Sequence, residues 1–422
     1  MAEDLQGLDI VVQQSSFSYS GHLEGEVEVE TQSYMLETLE PHLDLEKIRI
    51  EGYRGTRFPD WLGKRSYNNV VHITLWKCWV SSSSSIQLPL GRLRSLKHLK
   101  LHEVRNITKL GFEFYGCNDP FPTLEELSFS NMEEWEDWET LDAVPETCLF
   151  PHLNKLELRN CPRLKGVLPD NLPSLEDFSI QHCPNLISFP MLVRGRPLQQ
   201  LMQTPADRDR SLSTLACLEI ASCGPNLVNS CLVNKRLHSF QSLQTLTIED
   251  CDSVEYFPAI DTLPSSLTHL TINNFVNLKR LDGIGLQSLT RLEELWIESC
   301  PQLHAIAEEG LPGSLVHLLI VSCDSLECYP HGLLQNSLTK LSIEFCLNLK
   351  RLDGFGLRSL TCLQKLDICY CPQLEFMPAE GFPCSLTELT ISDCHPSLKE
   401  RCREHIGQDW PKIAHIPKVC II

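Results

Sequence analysis

The feature that most constrains this chain is a short phrase, Leu-x-x-Leu-x-Ile-x-x-Cys, that keeps returning. Counted from its first leucine, it begins at Leu243, Leu267, Leu292, Leu315, Leu338, Leu363 and Leu386, in steps of 24, 25, 23, 23, 25 and 23 residues. Less regular copies begin at Leu45, Val70, Leu96, Leu124, Leu153, Leu175 and Leu215. All fourteen carry apolar residues at offsets +3 and +5. Two positions of separation put both side chains on one side of an extended strand. A unit this short cannot bury that face alone, so successive units must stack and share one elongated core.

The step falls in the range of leucine-rich repeats, roughly 20–29 residues. The expected fold is an α/β solenoid, a leucine-rich-repeat horseshoe with a parallel concave β-sheet and an irregular convex side. Offset +8 is Cys in ten of the fourteen copies: Cys78, Cys161, Cys183, Cys223, Cys251, Cys300, Cys323, Cys346, Cys371 and Cys394. The other four hold Tyr53, Val104, Met132 and Phe275. A column that accepts all of these is filled for volume and apolarity, and reduced Cys serves as a small buried hydrophobe. Half of the twenty cysteines are thereby assigned to the core, away from disulfides, metals or redox chemistry. Prolines follow the column, as in Phe376-Met377-Pro378. They belong on the returning side, because proline cannot donate to a strand ladder.

Spacing divides the chain into a lead-in over 1–40, irregular repeats over 41–190, an insertion over 191–212, regular repeats over 213–398 and a C-terminal cap over 399–422. The insertion stretches one step to 40 residues and carries Arg194, Arg196, Arg208 and Arg210. Net charge is −19, which argues against binding nucleic acid through its phosphates. The N-terminus, opening with Glu3 and Asp4, has no basic-then-apolar leader, and no run approaches the roughly 18 apolar residues of a membrane span. A cytoplasmic or nucleocytoplasmic protein, or one at the inner plasma-membrane surface, is expected.

Several segments carry a family resemblance. Leu45-Glu46-Lys47-Ile48 leading to Gly52-Tyr53-Arg54-Gly55-Thr56-Arg57-Phe58-Pro59-Asp60-Trp61-Leu62, then Leu88-Pro89-Leu90-Gly91, Phe114-Tyr115-Gly116 and Trp135-Glu136-Asp137-Trp138, resemble the repeats of plant nucleotide-binding leucine-rich-repeat disease resistance proteins of the coiled-coil class. Arg401-Cys402, Asp409-Trp410 and His415-Ile416-Pro417 are similar to that family's terminus. The resemblance implies a non-catalytic protein-recognition scaffold in plant defence, sensing a pathogen effector or a modified host protein. It also implies autoinhibitory contact with the nucleotide-binding domain of a full-length relative. No Gly-x-x-x-x-Gly-Lys-[Ser/Thr] loop occurs here, so nucleotide binding is not carried over, and only the repeat region is expected. The alternatives are a standalone adaptor for protein–protein interaction and a non-functional fragment. A substrate adaptor for ubiquitination would need a helical adaptor-binding motif before residue 45, and 1–44 suggests none.

Offsets +2, +4 and +6 alternate with the buried pair and should face the partner. In the regular block they place Trp296, Leu319 and Val321 together as an apolar cluster among polar neighbours, the arrangement of a binding hot spot. His269, Glu294, His317, Lys340 and Asp367 surround them. No catalytic constellation, cofactor motif or metal set is expected. Cys402-x-x-His405 with His415 and Cys420 has the wrong spacing for a zinc site. The acidic loop bearing Trp135 and Trp138 has two readings, an interaction lip or a tryptophan pair packed over the solenoid edge.

Overall fold

In the computed structural model, the described residues are 7–11, 22–81, 88–139, 148–169, 172–188, 214–232, 237–329 and 337–422. The expected insertion therefore lies outside them. The chain divides into two compact units, Met1–Ala216 with Ser222–Leu227, and Cys217–Ala221 with Val228–Ile422.

In the first unit the strands Gly7–Val11, Lys47–Glu51, His72–Trp76, His98–His102, Glu126–Ser130, Lys155–Arg159 and Asp177–Gln181 pair in parallel, in chain order. In the second the order is Cys217–Ala221, Thr245–Glu249, His269–Asn273, Glu294–Glu298, His317–Val321, Lys340–Glu344, Lys365–Cys369, Glu388–Ser392 and Lys418–Ile421. Each copy of the phrase contributes one five-residue strand running from offset +2 to +6. Inside each unit the +3 and +5 side chains are buried, as with Leu295 and Ile297 at 0% exposure. Each such leucine or isoleucine is worth roughly 1.5–3 kcal/mol of hydrophobic burial. This is a leucine-rich-repeat solenoid with a parallel sheet.

The returning side is less irregular than expected. Two-residue strands form second parallel ladders there, for example Tyr256–Phe257 with Arg280–Leu281 and Ala305–Ile306. Short helices complete some turns. Gly283–Gln287 and Gly354–Ser359 start where the carboxylates of Asp282 and Asp353 accept from the backbone N–H groups of Ile284 and Phe355, a side-chain N-cap.

One local rule ends every strand. At offset +7 all fourteen copies have positive φ, from 49° at Lys77 to 73° at Gly52. The left-handed residue swings the chain out of the sheet plane. In most copies its N–H donates to the +6 carbonyl of the next strand, as from Asn274 to Glu298 (2.9 Å) and from Ser322 to Glu344 (2.9 Å). The residue after it then drops its side chain into the core.

A second rule sits just before the phrase. Ser266, Ser314, Ser337 and Ser385, each at offset −1, donate hydroxyl hydrogen bonds of 2.7–2.8 Å to the first-leucine carbonyl of the preceding copy. These bonds tie successive units where the chain re-enters the sheet.

Both ends hold strands that carry no copy of the phrase. At the N-terminal end, Gly7–Val11 covers the first repeat strand. The helix His22–Thr38 packs against the short strand Arg54–Gly55, accepting the Trp61 indole N–H at the Leu36 carbonyl (2.8 Å) and burying Leu36. At the other end Lys418–Ile421 pairs with Glu388–Ser392. Ile413, Ile416 and Cys402 are buried there, and Asp409 is ion-paired to Arg401 and Lys412 at 2.7 Å each.

Candidate functional site

The outward face of the second unit's sheet is built from offsets +2, +4 and +6. Register sets Trp296 beside Leu319, Glu298 beside Val321 and Glu294 beside His317. Trp296 is 37% exposed, and Leu319 and Val321 are half-buried. The Trp296 ring meets His317 edge-on at 6.4 Å. His269 lies 3.9 Å from the Glu294 carboxylate, and Lys340 follows His317 in the +2 column. Asp367 bonds to Lys365 at 3.4 Å. All eight residues singled out from the sequence thus lie on one sheet face. One column neighbour departs from the alternation: Ser342 is buried, because its small side chain sits between Leu319 and Asp367.

Electrostatics differ between the two ends of these strands. The +2 end neutralises itself, with Lys365 3.8 Å from Glu388 and Lys418 2.9 Å from the same carboxylate. At the +6 end stand Glu249, Glu298 and Glu344, and none makes an ion pair among the described residues. Burial first, and then the carboxylates of Glu249 and Glu344, raise the Glu298 carboxyl above its ordinary range. Burial, with Lys340 second, lowers the His317 imidazole.

Ring stacks on the surface escaped the sequence argument. In the first unit Trp76 stacks on His102 at 3.6 Å, with the Arg49 guanidinium 5.7 Å from the Trp76 ring, and His72 stacks on His98 at 4.2 Å. In the second unit Phe345 and Tyr370 stack at 4.4 Å and 6°. The signal was present, since parallel in-register repeats make any two rings at one offset in adjacent copies neighbours.

The interaction-lip reading of the Trp135–Trp138 loop is overturned. Trp135 and Trp138 are buried in an aromatic cluster with Phe129, Tyr115 and Phe150. The Trp138 indole donates to the Tyr115 hydroxyl (2.9 Å), which donates to the Glu139 carbonyl (2.9 Å). Both polar handles are satisfied inside, so the rings fill volume. Of the tail residues weighed as zinc ligands, Cys402 is buried while the His405 side chain is 80% exposed. The described residues hold no group of His, Cys, Asp or Glu arranged for a metal.

The +8 cysteines lie where the column requires. Nine are buried and Cys394 is half-buried. Most donate weak S–H bonds to the +6 carbonyl two residues back, such as Cys300 to Glu298 (3.3 Å) and Cys323 to Val321 (3.5 Å). Burial pushes the Cys78 thiol up to about 12 and the Cys346 thiol up to about 11.

The class defined by this geometry is a leucine-rich-repeat protein with an outward-facing parallel sheet. Its repeats are similar to those of plant disease resistance proteins. Residues 3–104 match the R13L1/DRL21 leucine-rich repeats, and residues 188–346 match the leucine-rich repeats of the plant disease resistance protein RPS2-like family. An RPP13-like disease resistance protein of Arabidopsis thaliana is 33% identical over 266 residues, covering 58% of this chain and 24% of that protein. A second Arabidopsis disease resistance protein is 26% identical, covering 90% of this chain and 33% of its own length. The chain therefore spans between a quarter and a third of these relatives. A solved leucine-rich-repeat protein of Leptospira interrogans aligns over 98% of this chain and 95% of its own, at 16% identity and a TM-score of 0.42. No helix among the described residues is long and apolar enough to cross a membrane.

Proposed function

We propose that this chain is a non-catalytic recognition scaffold of plant defence that senses a pathogen effector or modified host protein along its outward sheet face. The observation that carries the proposal is the Trp296–Leu319–Val321 patch, held outward in register on a continuous ladder. A rigid strand lattice spends little entropy on presenting these side chains. An aromatic anchor ringed by polar groups is the composition of an energetic hot spot. The matching repeats belong to disease resistance proteins, and on that analogy the same face also contacts the nucleotide-binding domain of a full-length relative, restraining it. The face lies within the cytoplasm or nucleus.

A photoreactive phenylalanine analogue installed at Leu319 in leaf-expressed protein should yield a discrete crosslinked protein partner. The same probe at Ile284, exposed on the returning side, should yield none, and Trp296→Ala should abolish the Leu319 crosslink. Equal crosslinking from both positions, or none from Leu319, would refute the proposal.

A further inference from the structure

The +6 and +7 offsets of the seven regular copies form one edge of the second unit's sheet. Their residues are Glu249, Asp250, Asn273, Asn274, Glu298, Ser299, Val321, Ser322, Glu344, Phe345, Cys369, Tyr370, Ser392 and Asp393. That is five carboxylates and no Lys or Arg. Among the described residues, Glu249, Glu298, Glu344 and Asp393 make no ion pair.

Within this row stand two large rings. Phe345 is 42% exposed and Tyr370 is 46% exposed, and they stack face to face. Leu347, two residues beyond Phe345, is 49% exposed. Both rings sit at left-handed backbone positions, φ 54° in each. Bulky residues are outliers there, at a cost of roughly 1–2 kcal/mol each. Elsewhere the same offset holds Asn131, Asn160 and Asn274, a residue type that tolerates this conformation.

We infer that the Phe345–Tyr370 edge is a docking surface for an arginine-bearing segment of a protein partner. Carboxylates without internal cations select a basic partner through charge complementarity. Exposed flat rings beside carboxylates select arginine over lysine, because a planar guanidinium stacks on an aromatic face while hydrogen bonding to a carboxylate in its own plane. Glu298 and Glu344 stand two strands apart, about 9.6 Å at ordinary strand spacing. One basic segment lying across the strands can therefore engage both. The inference rests on the sheet-face recognition reading and extends it to the partner's chemistry.

The test uses the full chain and two fluorescein-labelled 15-residue peptides, an Arg-Leu-Ala-Arg-Leu repeat and its Glu-Leu-Ala-Glu-Leu counterpart, followed by fluorescence anisotropy. The arginine peptide should bind, more weakly as salt rises, and the glutamate peptide should not. Phe345→Asn/Tyr370→Asn should weaken binding about tenfold or more, the scale of a lost aromatic anchor. It should also leave Tm unchanged or raised, because asparagine relieves the left-handed strain. Glu298→Gln/Glu344→Gln should weaken binding and flatten its salt dependence.

Equal binding of both peptides, no binding of the arginine peptide, or binding that survives Phe345→Asn/Tyr370→Asn overturns the inference. A fall in Tm in that variant assigns the rings to structure and also overturns it. The Leu319 crosslink is a separate readout. Its persistence alongside a failed peptide experiment leaves the sheet-face reading standing without this edge.

Discussion

Cys78 gives the most quantitative handle on the repeat core. It is 1% exposed, and its S–H donates weakly to the carbonyls of Ile50 and Trp76 at 3.5 Å. Burial in that layer moves the thiol from 9.0 to about 12. Only the thiolate reacts with an alkylating agent. At pH 8 a thiol with pKa 9 is about 10% ionised and one at 12 about 0.01%, so the displacement alone slows alkylation about a thousandfold. Steric exclusion multiplies that factor, since iodoacetamide must enter a closed layer. Cys217, Cys362 and Cys384 are exposed in the same chain and serve as internal standards. A pulse of iodoacetamide at pH 8, quenched and mapped by peptide mass spectrometry, should label those three at least a thousandfold faster than Cys78. Urea should abolish the difference. Native labelling of Cys78 within tenfold of Cys362 would refute the assignment of this column to a closed core.

Other consequences are open to simpler measurements. Ser314→Ala removes the 2.8 Å bond to the Leu292 carbonyl and should cost about 1 kcal/mol by urea denaturation. Asp409→Ala strands Arg401 and Lys412 and should cost roughly 3 kcal/mol, the low end for breaking a buried pair. Burial works to raise the Asp409 carboxyl, but the bonds from Arg401 and Lys412 hold it below its ordinary value. Its contribution is therefore present above the unfolded carboxyl pKa and is lost as pH falls through the lower folded value, a loss that the alanine variant should lack in acid titration of stability. Burial chiefly lowers the imidazoles of His72, His102 and His317. A depressed histidine favours the fold while neutral, so urea midpoints should fall as pH drops below about 6.5. His72→Gln should lessen that fall.

Burial periodicity made the solenoid legible. Offsets +3 and +5 are core in every copy and offset +8 in all but the last, where Cys394 is half-buried, and the core tolerates few residue types. The left-handed +7 position was not legible, because Lys77, Glu103, His182, Phe345 and Tyr370 are not turn formers. There the hydrogen-bonded register of the stack imposes the conformation whatever the residue, and tertiary structure overrides local preference. The terminal strands Gly7–Val11 and Lys418–Ile421 were hidden for a related reason. A cap presents a core face to one neighbour only and needs no repeat phrase. The outward face followed directly from alternation, which is why Trp296, Leu319 and Val321 were found. Phe345 and Tyr370 were missed because they lie just beyond the strand, where alternation carries no information.

The contrast between the strand ends yields a sign that separates recognition from architecture. At offset +2, Lys365 and Glu388 are neutralised together with Lys418, which pairs with Glu388 from the terminal strand, so removing a charge there should cost stability or change nothing. At offset +6 Glu298 has no such partner, and burial together with Glu249 and Glu344 raises its carboxyl. A carboxyl with a raised folded value ionises more readily in the unfolded chain, so at neutral pH its charge disfavours the fold. Glu298→Gln should therefore leave the protein as stable or more stable, by a few tenths of a kcal/mol given its partial exposure. The gain should shrink as pH falls toward the carboxyl range, where the wild-type side chain also becomes neutral. Differential scanning fluorimetry of both proteins at pH 7.5 and pH 5 measures this directly. A loss of about 1 kcal/mol or more in the variant would mean that Glu298 is already compensated inside the chain, and the row of carboxylates would then have no claim on a basic partner. Retained stability with lost binding would mean that the charge is kept against the interest of the fold, which is how a surface maintained for recognition behaves.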